Sequence, residues 1–186
     1  MTFPIVLKGV LNRSLFIPLM EEINRGWGLQ NESVKGDGNL SWGREEENNL
    51  LFFEAATVVK LKILRHLQRP IRLCKIHSNG QVAGQPSGIH TDFDFEGYWT
   101  FVLFCHPEWN VQWGGEFMCF NPETQSYAYA PPLPNTGVLI PAHWDHVGHS
   151  PNHQTSKMRT SLAFSYAAEE IWDQTLERYP YLLGFS

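Results

Sequence analysis

Apolar positions along this 186-residue chain follow two regimes, and the change between them comes near residue 70. In the first regime the spacing is helical. Leu15, Leu19 and Ile23 share one face of a helix predicted over about residues 15–25, as an amphipathic helix seated on a core requires. Asn12 or Ser14 is placed to cap it, and Gly26 and Gly28 to end it. Ile5-Val6-Leu7 ahead of it reads as an early strand, and the polar, glycine-rich residues 28–44 read as a surface loop. Leu50, Leu51, Ala55, Val58, Val59, Ile63 and Leu67 then repeat at the helical period and predict a helix over residues 45–67, closed by Arg69-Pro70.

Beyond Pro70 the period shortens to that of strands. Ile71 to His77 alternates apolar with polar or basic residues, and a Gly-rich loop is predicted over residues 79–84. Further strands are predicted over Trp99–Cys105, Gly115–Phe120, Ser126–Ala130, Gly137–Ile140 and Arg159–Ala167, separated by Gly, Pro and Asn clusters. A helix is predicted from Ala167 to about Arg178. Helices followed by a run of strands imply an α+β fold, and short, evenly spaced strands suggest a barrel or jelly roll. No repeat, low-complexity tract or linker divides the chain. The expectation is one domain: a helical support over about residues 1–70, a strand core over 71–167 and a C-terminal helix over 168–180.

Composition narrows the function classes. Hydrophobic residues make up 42% and charged residues 18%, as in globular chains. Aromatic residues reach 13%, with seven Trp, which favours strands around an enclosed pocket. The net charge of −5 argues against a sequence-independent grip on nucleic acid or an anionic membrane. No apolar run is long enough to span a bilayer, and no signal peptide is evident at Met1–Lys8. Cys74, Cys105 and Cys119 are an odd set without paired spacing, which disfavours a disulfide framework or structural zinc. Reduced core thiols in the cytoplasm are the expectation. Nothing in the pattern sets the oligomeric state.

The chemistry concentrates at Gly88-Ile89-His90-Thr91-Asp92. In extended backbone His90 and Asp92 point to the same side, and a His with a carboxylate makes two members of the facial triad that binds non-haem Fe(II). A third ligand is offered downstream by His143, His146 and His149, shortly after the strand that ends at Pro141. Arg159 opens a buried-looking strand, where an unpaired guanidinium is costly and a bidentate carboxylate ligand would compensate it. Each feature also has a plainer reading. His90 and Asp92 would be a surface pair, Arg159 an edge-strand ion pair with a Glu, Trp113-Gly114-Gly115 a turn with a core aromatic. His106 and His153 read as surface or turn residues, and Thr100 and Ser161 as inward hydroxyls of a strand.

The order His90-x-Asp92, His146, Arg159 resembles that of the Fe(II)/2-oxoglutarate-dependent oxygenases, specifically the prolyl 4-hydroxylase-like branch of bacteria and viruses. Trp113-Gly114-Gly115-Glu116, the preceding Pro107-Glu108-Trp109-Asn110, the run Lys75 to Gln81, and Val147, Pro151, Leu162 and Phe164 around the distal motif resemble that branch too. The likeness spans about residues 71–167. It implies a double-stranded β-helix (jelly-roll) barrel in which His90, Asp92 and His146 ligate Fe(II), with His149 the main competitor for the distal place. It implies that Arg159 holds the distal carboxylate of 2-oxoglutarate. Where the family often has a cosubstrate-binding Tyr, this chain has His77, which can still donate one hydrogen bond. The implied chemistry consumes 2-oxoglutarate and O2, releases succinate and CO2 and hydroxylates an unactivated C–H bond, with ascorbate as reductant. The substrate would be a peptide or protein proline, a free amino acid or another small molecule. Two other readings stay open: a cupin-like metal enzyme that does not use 2-oxoglutarate, and a non-catalytic jelly-roll binding protein.

Overall fold

The computed structural model describes residues 3–25, 28–30, 41–45, 49–85 and 87–185. Strand β1 (Ile5–Lys8) leads into helix α1 (Arg13–Ile23), then β2 (Gly28–Gln30), β3 (Ser41–Glu45) and helix α2 (Leu50–Leu67). Strands β4 (Ile71–Gln81), β5 (Tyr98–Phe104), β6 (Phe117–Asn121), β7 (Ser126–Ala130), β8 (Thr136–Pro141), β9 (His146–Gly148) and β10 (Arg159–Ala168) follow, and helix α3 (Trp172–Arg178) lies near the end. The fold is α+β, with every pairing antiparallel among the described residues. One sheet has the order β1-β8-β5-β10-β4-β3-β2, the other β7-β6-β9.

Local chemistry sets the helix boundaries. The Asn12 side chain accepts from the Leu15 amide at 2.9 Å and caps α1; the Asn49 side chain accepts from the Leu51 amide at 3.1 Å and caps α2. The second helix therefore begins five residues later than its apolar period suggests, and Glu45 instead pairs with His77 in a strand. The first helix ends at Ile23 with Asn24 as its cap; Gly26 lies outside the described residues.

The predicted loop over residues 28–44 is also corrected. Gly28–Gln30 and Ser41–Glu45 are strands that extend the larger sheet past β4, while residues 31–40 lie outside the described residues. Likewise Asn79, Gly80 and Gln81 belong to β4 rather than to a glycine-rich loop. In both places backbone pairing with a neighbour overrides a composition that disfavours strands. The C-terminal helix starts later than predicted, because Ala167 and Ala168 stay paired in β10.

The larger sheet separates two cores. Its outer face packs Phe164 and Tyr166 of β10, Ile76 of β4 and Phe101 of β5 against Leu19, Phe52, Val59 and Ile63 of the helices. Its inner face packs Val102, Phe104, Val138, Ile140 and Ala163 against Phe117, Cys119 and Ala130 of the smaller sheet. All three cysteines are free and buried. Among the described residues no helix is long and apolar enough to cross a membrane.

Candidate metal centre and its buried arginine

The segment that carries His90 and the start of β9 meet in a two-residue antiparallel bridge. The His90 amide donates to the His146 carbonyl at 3.0 Å, and the His146 amide returns the bond to His90 at 2.9 Å. Two residues on, the Asp92 amide donates to the Ala142 carbonyl at 2.9 Å. Main-chain bonds thus fix three side chains that come from distant parts of the sequence. His90, Asp92 and His146 each offer one donor atom, all within 4.8 Å of one another. The Asp92 Oδ1 lies 3.7 Å from His90 Nε2, and its Oδ2 lies 3.4 Å from His146 Nε2. Donors on one face of a single ion at about 2.1 Å would be about 3 Å apart, so the cluster nearly has the spacing of a ligand set.

The outer contacts suit that use. His90 Nδ1 is 3.0 Å from the Gly88 carbonyl, and His146 Nδ1 is 2.8 Å from that of Trp144. A carbonyl only accepts, so each Nδ1 carries the ring proton and each Nε2 presents a lone pair when the imidazole is neutral. The Thr100 hydroxyl donates to Asp92 Oδ2 at 2.5 Å, which gives this inward hydroxyl a task. Burial resists ionisation of Asp92, but His146, His90 and Thr100 outweigh it and hold the carboxyl well below the ordinary carboxylate range. Burial likewise works against a charged His146, and Asp92 overcomes it, raising the imidazole's pKa. A carboxylate set between two imidazoles favours positive charge at their meeting point, the electrostatics a cation site needs.

His146 is buried and His90 and Asp92 stand at the rim, with side-chain exposures of 4%, 39% and 26%. His149 is exposed, and its amide donates to the Glu116 carbonyl at 2.9 Å; it does not join the cluster. His106, expected at the surface, is buried instead. Its Nε2 meets the Pro132 carbonyl at 2.5 Å and its ring lies 4.4 Å from that of Trp109. Burial and the nearby Arg159 hold it neutral, its pKa lowered to about 4.

Arg159 is 2% exposed and lies on the same inner face of the sheet. In the register of β10, Ser161, Ala163 and Ser165 oppose Phe104, Val102 and Thr100 on β5, and Asn79, His77 and Lys75 on β4. Directly opposed residues share a face, so Thr100, His77, Gln81 and Arg159 all belong to the face turned towards the smaller sheet. His77 is buried there. The plainer reading, an edge-strand ion pair, does not fit, because β10 lies between β5 and β4. Arg159 Nε donates to the Gly115 carbonyl at 2.7 Å and Nη1 to Gln81 Oε1 at 3.1 Å, while Nη2 has no hydrogen-bond partner among the described residues. Its guanidinium lies 5.1 Å from the centre of the Phe104 ring. Burial lowers its pKa to about 10, with Glu116 opposing, so it stays charged at neutral pH.

Two glycines make room for it. A Cβ on Gly148 would fall 2.9 Å from Arg159 Nη2 and 3.0 Å from Nη1. Gly115, at φ +79, would place a Cβ 3.2 Å from Arg159 Cδ and from the Trp109 ring. The Trp113-Gly114-Gly115-Glu116 segment is therefore more than a turn with a core aromatic, since its backbone holds the arginine. Gln81, Gly115 and Gly148 carry no chemical signal of their own in the sequence. Only the segment's likeness to a known pattern pointed towards Gly115.

No protein-family model and no curated protein matches the chain. Solved structures do. A prolyl-4-hydroxylase from Pseudomonas putida superposes with a TM-score of 0.68 at 14% identity, over 89% of this chain and 92% of that one. A prolyl hydroxylase from Trichoplax adhaerens, in complex with a hypoxia-inducible-factor peptide, gives 0.70 at 12% identity, over 92% and 86%. HygX from Streptomyces hygroscopicus, with nickel, 2-oxoglutarate and hygromycin B bound, gives 0.68 at 11% identity, over 89% and 83%. The chain therefore has the fold of the 2-oxoglutarate/Fe(II) oxygenases, prolyl hydroxylases among them, in keeping with the resemblance of its motifs.

Proposed function

We propose that this protein is an Fe(II)- and 2-oxoglutarate-dependent dioxygenase that hydroxylates an unactivated C–H bond. Support comes first from the convergence of His90, Asp92 and His146 within 4.8 Å, against the sheet face that supplies Thr100 to Asp92 and also buries the Arg159 guanidinium. In this reading the two sheets form the jelly roll of that class, and residues 1–186 make one oxygenase domain. His90, Asp92 and His146 hold Fe(II). Arg159 holds the distal carboxylate of 2-oxoglutarate, and His77, buried on the same inner face, donates to the cosubstrate. The open Nη2 favours this over a cupin-like enzyme or a binding protein, neither of which needs a carboxylate at that place.

Iron bound there, with 2-oxoglutarate and O2, supplies the oxidation: one oxygen atom enters succinate, the other the substrate, and CO2 leaves. The chain's own residues do the rest. The carbonyls of Gly88 and Trp144 keep both imidazoles facing inwards, Thr100 orients Asp92, and the rim position of His90 and Asp92 leaves an approach for substrate. Among similar folds, one structure holds a peptide and another hygromycin B. We place prolyl hydroxylation of a peptide or protein as the narrower proposal, a small molecule as the wider one, with ascorbate as reductant. Three buried thiols suit a reducing cytoplasm.

The test is turnover of 2-oxoglutarate with Fe(II), ascorbate and O2. Succinate should form in step with 2-oxoglutarate consumed, even without added substrate, and His90→Ala should abolish it. A His90→Ala protein that consumes 2-oxoglutarate at the wild-type rate would contradict the assignment.

A further inference from the structure

We infer that Gln81 is a positioning residue that ties the carboxylate-binding guanidinium to both histidine-bearing segments; this rests on the reading of Arg159 given above. Gln81 ends β4 directly opposite Arg159 and is 9% exposed. Its Oε1 accepts from Arg159 Nη1 at 3.1 Å, and its Nε2 donates to the Gly148 carbonyl at 2.8 Å and to the Ser87 hydroxyl. Gly148 follows His146 by two residues in β9, and Ser87 precedes His90 by three. One amide therefore touches the arginine, the strand of the distal histidine and the segment of the proximal one.

The chemistry of the three partners selects this side chain. Arginine can only donate and the Gly148 carbonyl can only accept, so the amide has a single workable orientation. A carboxylate at position 81 would accept from Arg159 but would face the Gly148 carbonyl with no donor. It would also neutralise the charge meant for a dicarboxylate. An apolar side chain would strand both Arg159 Nη1 and the Gly148 carbonyl. With Nε held by Gly115 and one Nη1 hydrogen held by Gln81, the guanidinium plane is fixed from two sides. Nη2 is left without a partner among the described residues and, beside the tethered Nη1, makes a fork of fixed direction for a carboxylate. Holding that fork in advance removes an ordering cost from binding.

The test compares wild type with Gln81→Leu and Gln81→Glu by calorimetric titration, first of Mn(II) into metal-free protein, then of 2-oxoglutarate into Mn(II)-loaded protein. In both variants the Kd for 2-oxoglutarate should rise by about tenfold or more, the scale of one hydrogen bond to a charged group. The Kd for Mn(II) should stay within about threefold, because the His90–His146 bridge does not pass through Gln81. In Gln81→Glu the Kd should rise further than in Gln81→Leu, because its carboxylate also neutralises Arg159, and that pairing offsets part of the cost of facing the Gly148 carbonyl. That variant keeps the test open if Gln81→Leu does not fold. Unchanged 2-oxoglutarate affinity in the variants, or Mn(II) affinity lost in the same proportion, overturns the role of Gln81. Wild-type protein that takes Mn(II) but never 2-oxoglutarate overturns the reading of Arg159, and the role of Gln81 with it.

Discussion

The candidate metal end and the arginine end of the proposed site are built in opposite ways. His90 and Asp92 stand partly open on an irregular segment, kept in place by a short main-chain bridge to His146 and Ala142. Arg159 is sealed in the middle of the larger sheet, held by the Gly115 carbonyl and Gln81 in a space that side chains at Gly115 and Gly148 would fill. An ion needs donors to be present and reachable. A buried guanidinium needs empty volume and neutral oxygens that do not cancel its charge. The metal end should therefore fail when atoms are deleted, the arginine end also when atoms are added.

Deletions at the metal end should have the largest effect. Asp92→Ala or His146→Ala should weaken Mn(II) binding by more than the roughly 10–100-fold typical of losing an outer contact; the EPR signal of free Mn(II) would report it. A Mn(II) affinity within threefold of wild type would break the contrast at its stronger side. Next comes an addition at the other end. Gly148→Ala, at a position whose backbone tolerates a side chain, should push the Arg159 fork aside and raise the 2-oxoglutarate Kd by about thirtyfold, near 2 kcal/mol. Its Mn(II) affinity should barely move, and calorimetry measures both. If the methyl group is accommodated at no cost, Arg159 is less tightly confined than its surroundings indicate. Smallest is Thr100→Val, which removes the hydroxyl donor to Asp92 but keeps the shape. Mn(II) should bind about tenfold more weakly, with no separate change in the 2-oxoglutarate Kd of the loaded protein.

The same contrast explains what could be read from the sequence. The metal end is made of residue types with distinctive chemistry, so His90-x-Asp92 and a short list of later histidines stood out, and the structure brings His90, Asp92 and His146 together. Arg159 stood out as a charge at the head of an apolar strand. Its holders did not. Gln81 looked like part of a glycine-rich loop, because Asn79 and Gly80 beside it disfavour strands, and only pairing with β10 and β3 keeps them extended. Gly148 matters for the side chain it lacks, which no residue pattern reveals without knowing what lies opposite, and Gly115 was marked only by its segment's likeness to a known pattern. The strands β2 and β3 were hidden for a related reason: their stability comes from partners far along the chain rather than from local preference. Helix α2 was legible from its apolar period, but its true start was set by the cap at Asn49.

The most direct test of the central claim is an anaerobic titration of the Fe(II)-loaded protein with 2-oxoglutarate, followed in the visible range. Chelation of iron by a keto acid gives a charge-transfer absorption, and the account predicts that it appears, saturates at one cosubstrate per chain and is lost in Arg159→Met while Fe(II) stays bound. Protein that binds Fe(II) but develops no such absorption at any 2-oxoglutarate concentration would contradict it.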